Sequence, residues 1–423
     1  MKRRRFLQSV GLVSGGLLAR TSASHASQDA GASPLPPKDS PDFWRAVRAQ
    51  FPLAADFAYL NTAGLGSSPR AVSNVVKTWM DREDANPAPG HSEEDFTRIR
   101  TACASLLGPS CSGDEIALLS TATEAINAIL NTFEWNTGDE VITSTHEHAS
   151  LAIALLHRAR TRGVVIRTFE PDVDAPAGNV TRIERLVGPR TRLIFVSHVT
   201  CTTGQLLPAD RIGALAAARG LAFALDGAQS WAHVPIDLGR TGAHYYAASG
   251  HKWLLGPKRT GILWVRRDRI PGAIPAVVGA YSDASSSLAD RTLVLRPTAQ
   301  RFEYGTQNDA LVYGIEAATQ FMASIGFEQA WAHNRALAEQ FVEGLRKIPA
   351  VRLLSPRERA DRTAIITFAV TGRDNRQVAS ELVKRRLRVR SVTEGGLDAV
   401  RVSFHVCNDA DEVERLLAAL REV

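Results

Sequence analysis

"AASGHKWLLGPKRTG" (residues 247–261) closes one apolar run and opens the next. Lys252 stands in the joint, with small residues before it and the Gly256-Pro257 turn after it. A lysine on a tight turn, shielded by Trp253 and Leu254, is expected to have a depressed pKa and to be nucleophilic. That suits a Schiff base with a carbonyl. The ordinary alternative is a surface lysine that keeps its ammonium in water.

A second stretch weakens that alternative. "FALDGAQSWAHVPIDL" (223–238) is a very apolar strand that ends on Asp226, with Gln229 one turn on. A carboxylate there is costly unless it meets a cation. It could cap a helix, or it could face a protonated ring nitrogen. Asp226 with Lys252 is an acid-and-amine pair of the kind pyridoxal phosphate uses.

Outward from these two stretches the chain alternates. "EIALLS", "EVITS", "VVIRTF", "RLIFVSH", "LAFALD", "HYYAAS" and "GILWVRR" read as strands, and the longer stretches between several of them as helices. The expected fold is α/β, a mainly parallel sheet with helices on both faces. Such sheets bind ligands at the carboxyl ends of their strands. After about residue 310, two long helical stretches, three strands and a closing amphipathic helix predict a smaller α+β C-terminal domain over 311–423. Residues 42–310 are then the N-terminal segment and large domain.

Other chemistry-bearing residues also follow strands. "LLSTATEAIN" opens a helix near Thr123, and its free amide groups could hold an anion or simply be capped. In "TSTHEHASL", His146 and His148 could be metal ligands, ordinary core histidines, or a ring stacked on a planar ligand. With Glu147 and His157 they lack any regular zinc-ligand spacing.

The formal charge of the 423 residues is +6, but Lys2, Arg3, Arg4, Arg5 and Arg20 supply five of it within residues 1–26, which hold no acid. The remainder is close to neutral and has no basic stripe, so nucleic acid is set aside. "KRRRFLQSVGLVSGGLLA" (2–19) resembles a twin-arginine export signal, and "SHA" ending at Ala26 a cleavage site. It is too short and glycine-rich for stable membrane insertion. The expectation is a periplasmic or secreted protein exported by the twin-arginine machinery, with a flexible lead-in over 27–41. Cys103, Cys111, Cys201 and Cys407 show no CxxC spacing and read as isolated small core residues.

From "FAYLNTAGLGSSPRAV" (57–72) to the C-terminus the chain resembles the class V aminotransferase superfamily of fold-type I pyridoxal-phosphate enzymes. "DGAQSWAHVPIDL", "ASGHKWLLGPKRTGIL", "GDEVITSTHEHAS" and "RFEYGTQN" carry the resemblance, closest to the isopenicillin N epimerase-like and cysteine desulfurase-like branch. The resemblance implies that Lys252 holds pyridoxal 5'-phosphate, Asp226 pairs with its ring nitrogen, Gln229 bonds its phenolate oxygen and His148 stacks on its face. It implies that Ala122, Thr123, Ser249 and His251 surround the phosphate and that Thr200 lies near the ring. Thr306 would reach the phosphate of a neighbouring subunit, which implies a homodimer with shared active sites. Arg401 would grip the carboxylate of an amino-acid substrate, and Asn61 would line the substrate side.

One departure is informative. Cysteine desulfurases carry a nucleophilic cysteine on the loop before that arginine, and "RSVTEGGLDAVR" (390–401) has none. The implied chemistry is then at the α- or β-carbon of an amino acid, epimerase-like or C–S/β-lyase, with Lys252 as the base that takes the α-proton. An aminotransferase is the alternative, and a non-catalytic protein of the same fold a second one.

Overall fold

The computed structural model describes residues 34–88 and 90–422. The export signal expected over residues 1–26 lies outside them, as do residues 27–33 of the lead-in. What is described of that lead-in is ordered by contacts: Leu35 packs against the main core and Ser40 N–H closes a turn on Pro37 O.

The large sheet has seven strands: β1 (Ile116–Leu119), β2 (Glu140–Ser144), β3 (Val165–Phe169), β4 (Thr191–Ser197), β5 (Ala222–Asp226), β6 (Tyr245–Ser249) and β7 (Gly261–Val265). Their spatial order is β1-β7-β6-β5-β4-β2-β3. β7 is antiparallel to both neighbours, and all other pairings are parallel. The carboxyl ends of every strand but β7 therefore share one edge.

Both faces of the sheet are covered, which explains the near-continuous apolar runs. Within β5 the side chains alternate: Phe223 and Leu225 enter one core and Ala224 the opposite one. Helices Ala122–Asn131 and Ala149–Arg162 cover the second face. Helix Asp309–Ile325 joins the core on the first face through Val312, Ile315, Phe321 and Met322.

That last helix lies almost wholly beyond residue 310 yet belongs to the large core. Its apolar face is spent on helices Arg70–Ala85 and Glu93–Ser105, within the large core. The smaller core gathers only from Leu337 of the following helix, Phe327–Leu345. It also takes in Ala58, Leu60 and Ala63 from the N-terminal segment, because Ala58–Tyr59 pairs in parallel with Leu387–Arg388. The small sheet has four strands, β8 (Val351–Leu353), β9 (Ile365–Val370), β10 (Arg390–Val392) and β11 (Ala399–Ser403), antiparallel in the order β8-β9-β11-β10.

The turn after β6 is held by both cores. Trp253 belongs to the small one, Leu254 and Leu255 to the large one. Lys252 sits between these anchors.

Candidate active site

A cavity of about 610 Å³ opens at the carboxyl edge of the large sheet, facing the small sheet. Asn61, Ala122, Thr123, His148, Asp226, Gln229, Ser249, His251, Lys252 and Arg401 all line it. Residues from distant parts of the chain meet there because each follows a strand ending on that edge or enters from the small sheet.

Lys252 is buried (8% exposed), and burial lowers its pKa while Asp226 partly restores it. Asp226 ends β5, and Ala228 N–H donates to its Oδ1 across 2.9 Å. Burial raises its pKa, opposed by that hydrogen bond and by Lys252. The loop of residues 61–66 packs on the lysine turn, with Gly66 N–H donating to His251 O at 2.7 Å. A Cβ on Gly66 would lie 2.4 Å from the Lys252 carbonyl oxygen, so any larger residue would push the turn away.

Gln229 is fixed at both ends. Its Oε1 accepts from Trp253 Nε1–H and its Nε2 donates to Ala63 O, each at 2.8 Å. One Nε2 hydrogen is left over, since the amide carries two. His148 caps helix Ala149–Arg162: Ser150 N–H donates to its Nδ1 at 3.1 Å. Burial, and then the charges of Lys252 and Arg390, push its pKa down to about 4, so the ring is a neutral imidazole.

At one end of the cavity lies the first turn of helix Ala122–Asn131. It starts at Ala122, one residue before the expected start near Thr123, and its N-cap is Thr121. Ala122 N–H donates to Ser249 Oγ (3.3 Å) and Glu124 N–H to Thr121 Oγ1 (3.1 Å). Among the described residues Thr123 N–H has no protein acceptor, and buried His251 Nδ1 has no partner. Open donors at a helix N-terminus suit an anion.

At the other end, buried Arg401 on β11 donates from Nη1 to Cys201 O (2.6 Å) and from Nη2 to Asn61 Oδ1 (3.2 Å). Its Nε has no partner among the described residues. Burial, reinforced by Arg390, lowers its pKa to about 10, well above neutrality, so it stays a cation. Arg390 lies opposite it across the β10–β11 pair, lines the same cavity and is ion-paired with Glu394.

Two expected residues stand apart. Thr200 is buried but does not line the cavity; its hydroxyl shares a hydrogen with Thr203 Oγ1 and accepts from Gln205 N–H, bracing its own turn. Thr306 is exposed and off the cavity of its own chain. Thr121, Ser150 and Arg390 line the cavity beyond the expected residues. The Thr121-to-Glu124 spacing is a capping signal that points to the first of these.

His146 turns away from His148, toward Glu170 (3.0 Å) and Thr202 (2.9 Å). Among the described residues, no three His, Cys, Asp or Glu side chains gather as a metal site. All four cysteines are free; Cys103, Cys201 and Cys407 are buried and Cys111 half-buried.

An amine beside a buried acid, with open amide donors at one end and a guanidinium at the other, is an arrangement that can receive a doubly anionic ligand and a carboxylate in one cavity. The chain belongs to the aminotransferase class-V family, whose model matches residues 58–416. It is 29% identical over 415 residues to a probable cysteine desulfurase of Xylella fastidiosa, covering 92% of this chain and 97% of that one. It is 28% identical to probable cysteine desulfurase 2 of Mycobacterium leprae, covering 89% and 95%. Among solved structures, the cystine C–S lyase C-DES in complex with its reaction product cysteine persulfide superposes with a TM-score of 0.80 at 26% identity, covering 88% of this chain and 99% of that one. A mutant of C-DES with glycine covalently linked to its pyridoxal-phosphate cofactor matches equally well, at a TM-score of 0.80 and 26% identity.

The residues present fit pyridoxal phosphate. The open Thr123 N–H matches a phosphate, the remaining Gln229 hydrogen a phenolate oxygen, Asp226 a ring nitrogen and Lys252 an aldehyde.

Proposed function

We propose that this chain is a pyridoxal-phosphate-dependent lyase that breaks a C–S or related bond at the β-carbon of an amino acid. The carrying observation is the pairing of a complete Lys252–Asp226–Arg401 cavity with a substrate-side loop, 390–401, that holds no thiol. Cys201, the nearest alternative, is buried, and burial pushes its thiol up to about 11. A thiol of that pKa is a poor acceptor for sulfur at neutral pH. Sulfur would therefore leave on the departing fragment, as in the cystine C–S lyase that this fold resembles.

Pyridoxal phosphate, when bound, supplies an aldehyde that condenses with amines and a ring that takes up an electron pair from a bond broken beside it. Arg401 orients the substrate by its carboxylate, with Asn61 holding the guanidinium in place. Neutral His148 covers one wall without adding charge. Lys252 Nζ takes the proton from the substrate α-carbon, a task its lowered pKa suits because the neutral amine is the base. The β-bond then breaks with its electrons leaving on sulfur.

The proposal extends to a homodimer with shared sites. Exposed Thr306 and the exposed apolar residues Leu288, Leu293 and Val294 near the Asp283–Ser287/Thr292–Leu295 hairpin support it. It extends also to export in folded form by the twin-arginine route, supported by Arg3–Gln8 and the stretch ending at Ala26. Among the described residues no helix is long and apolar enough to cross a membrane.

The test is product analysis on the purified protein with L-cystine, L-cysteine and their D-forms. Pyruvate and ammonia report β-elimination and support the proposal. Alanine would reveal desulfurase chemistry, and a D/L exchange without bond loss would reveal an epimerase; either replaces the proposal.

A further inference from the structure

Glu147 stands between the two histidines of "THEH" and touches neither cavity nor cation. Its side chain is 5% exposed. Serines surround it: Ser144 Oγ lies 2.6 Å from Oε1, and Ser197 meets Oε2 with its N–H at 3.0 Å and its Oγ at 2.5 Å. Ser197 is the register partner of Asp226 across β4 and β5. The next amide, His198 N–H, donates to the Asp226 carbonyl at 2.9 Å. Two buried carboxylates thus flank one pair of strands. Among the described residues neither has an ion pair.

The charged and titratable groups around them are few. Lys252 faces Asp226 from the turn after β6, and Asp226 is the charge that Glu147 itself feels. On Glu147's own segment, His146 is turned to Glu170 and His148 to the cavity. His198, following Ser197, is buried, which pushes it down to about 4 and leaves it neutral. Two like charges this close in a dry interior resist ionising together.

We propose that Glu147 is a positioning residue that carries the proton of this carboxylate pair, leaving Asp226 as the sole anion beneath the cofactor ring, so that ionisation of Glu147 is read in the cofactor's spectrum. Burial with no cation partner among the described residues, against a second buried carboxylate, suits a neutral acid. Ser197 donates to Oε2 from both Oγ and N–H, and so opposes protonation of Glu147. Ser144 Oγ accepts His146 N–H at 3.2 Å and gives its own proton to Oε1. Burial, opposed by the serines and reinforced by Asp226, raises Glu147 to about 7. The inference rests on the cofactor reading above.

The experiment is a pH titration of the near-visible band of the cofactor-loaded protein, wild type against Glu147→Gln and Ser197→Ala. Gln keeps the shape and removes the charge. The wild type is expected to show a transition centred near neutrality that Glu147→Gln lacks. Ser197→Ala deletes a donor to the ionised form and is expected to move that transition upward by about one pH unit. A Glu147→Gln protein that titrates like wild type overturns the inference. Should that variant not fold, an unmoved midpoint in Ser197→Ala overturns it equally. A wild-type protein with no near-visible band at all sinks the cofactor reading itself, which is a different failure.

Discussion

Trp253 donates its indole N–H to Gln229 Oε1 across 2.8 Å, and so decides which way the Gln229 amide points. With Oε1 engaged, Nε2 must face Ala63 O and the cavity. Trp253→Phe keeps an aromatic ring in the small core but lets the amide turn. A buried hydrogen bond broken on one side costs about 1–3 kcal/mol. Cofactor affinity is expected to fall roughly 5- to 150-fold. Equilibrium dialysis measures it, and unchanged affinity would remove Gln229 from the binding set.

Lys252→Ala is expected to abolish turnover while leaving the fold, because the lysine is buried at a cost rather than for packing. The loss is expected to be at least about 10³-fold, since base and covalent anchor disappear together. Borohydride reduction followed by peptide mapping should place a reduced pyridoxyl adduct on Lys252 in the wild type. An adduct mapped to another lysine refutes the assignment.

Arg401→Ala should weaken amino acids with a free α-carboxylate by about 100-fold in kcat/KM, and their amides far less. The guanidinium is buried, and Asn61 Oδ1 and Cys201 O hold it. Equal losses for both substrate types would move the carboxylate contact to Arg390, which lies opposite on β10.

Acid should destabilise the protein between about pH 6.5 and 4. His148, His198, His333 and His405 are pushed down to about 4 and His233 to about 3, in each case by burial first. The unfolded chain binds protons through the ordinary histidine pKa of about 6.5, whereas the native state does not. The histidines' contribution to stability is therefore complete above pH 6.5 and falls as pH drops toward 4, with a slope of up to about 1.4 kcal/mol per pH unit for each. Buried Glu147, raised to about 7, works against this with the opposite sign. Calorimetric Tm values between pH 7.5 and 5 check this. A flat profile would mean that these rings can take up protons in place.

Gly395 has φ +66°, and a Cβ there would lie 2.6 Å from the His146 ring. Gly395→Cys, a simple attempt to install a desulfurase thiol, is expected to destabilise the protein by about 1 kcal/mol or more and to yield no persulfide. Persulfide formation on that thiol, detected by mass spectrometry, would show that the loop can rearrange.

The amino-acid sequence by itself determined the alternating α/β architecture, because strands buried on two faces must be apolar throughout and need helical crossovers. It singled out Lys252 and Asp226 as candidates, since an amine and a carboxylate at the ends of apolar strands are costly without a partner, and both line the same cavity. Tertiary structure alone decided that Thr200 braces its own turn and that helix Asp309–Ile325 belongs to the large core. It alone brought Glu147 up behind Asp226 through Ser197. The reason is physical. Local pattern records which face of an element avoids water, but the identity of the atom across a hydrogen bond depends on strand order and register, which are settled by contacts between residues far apart in the chain.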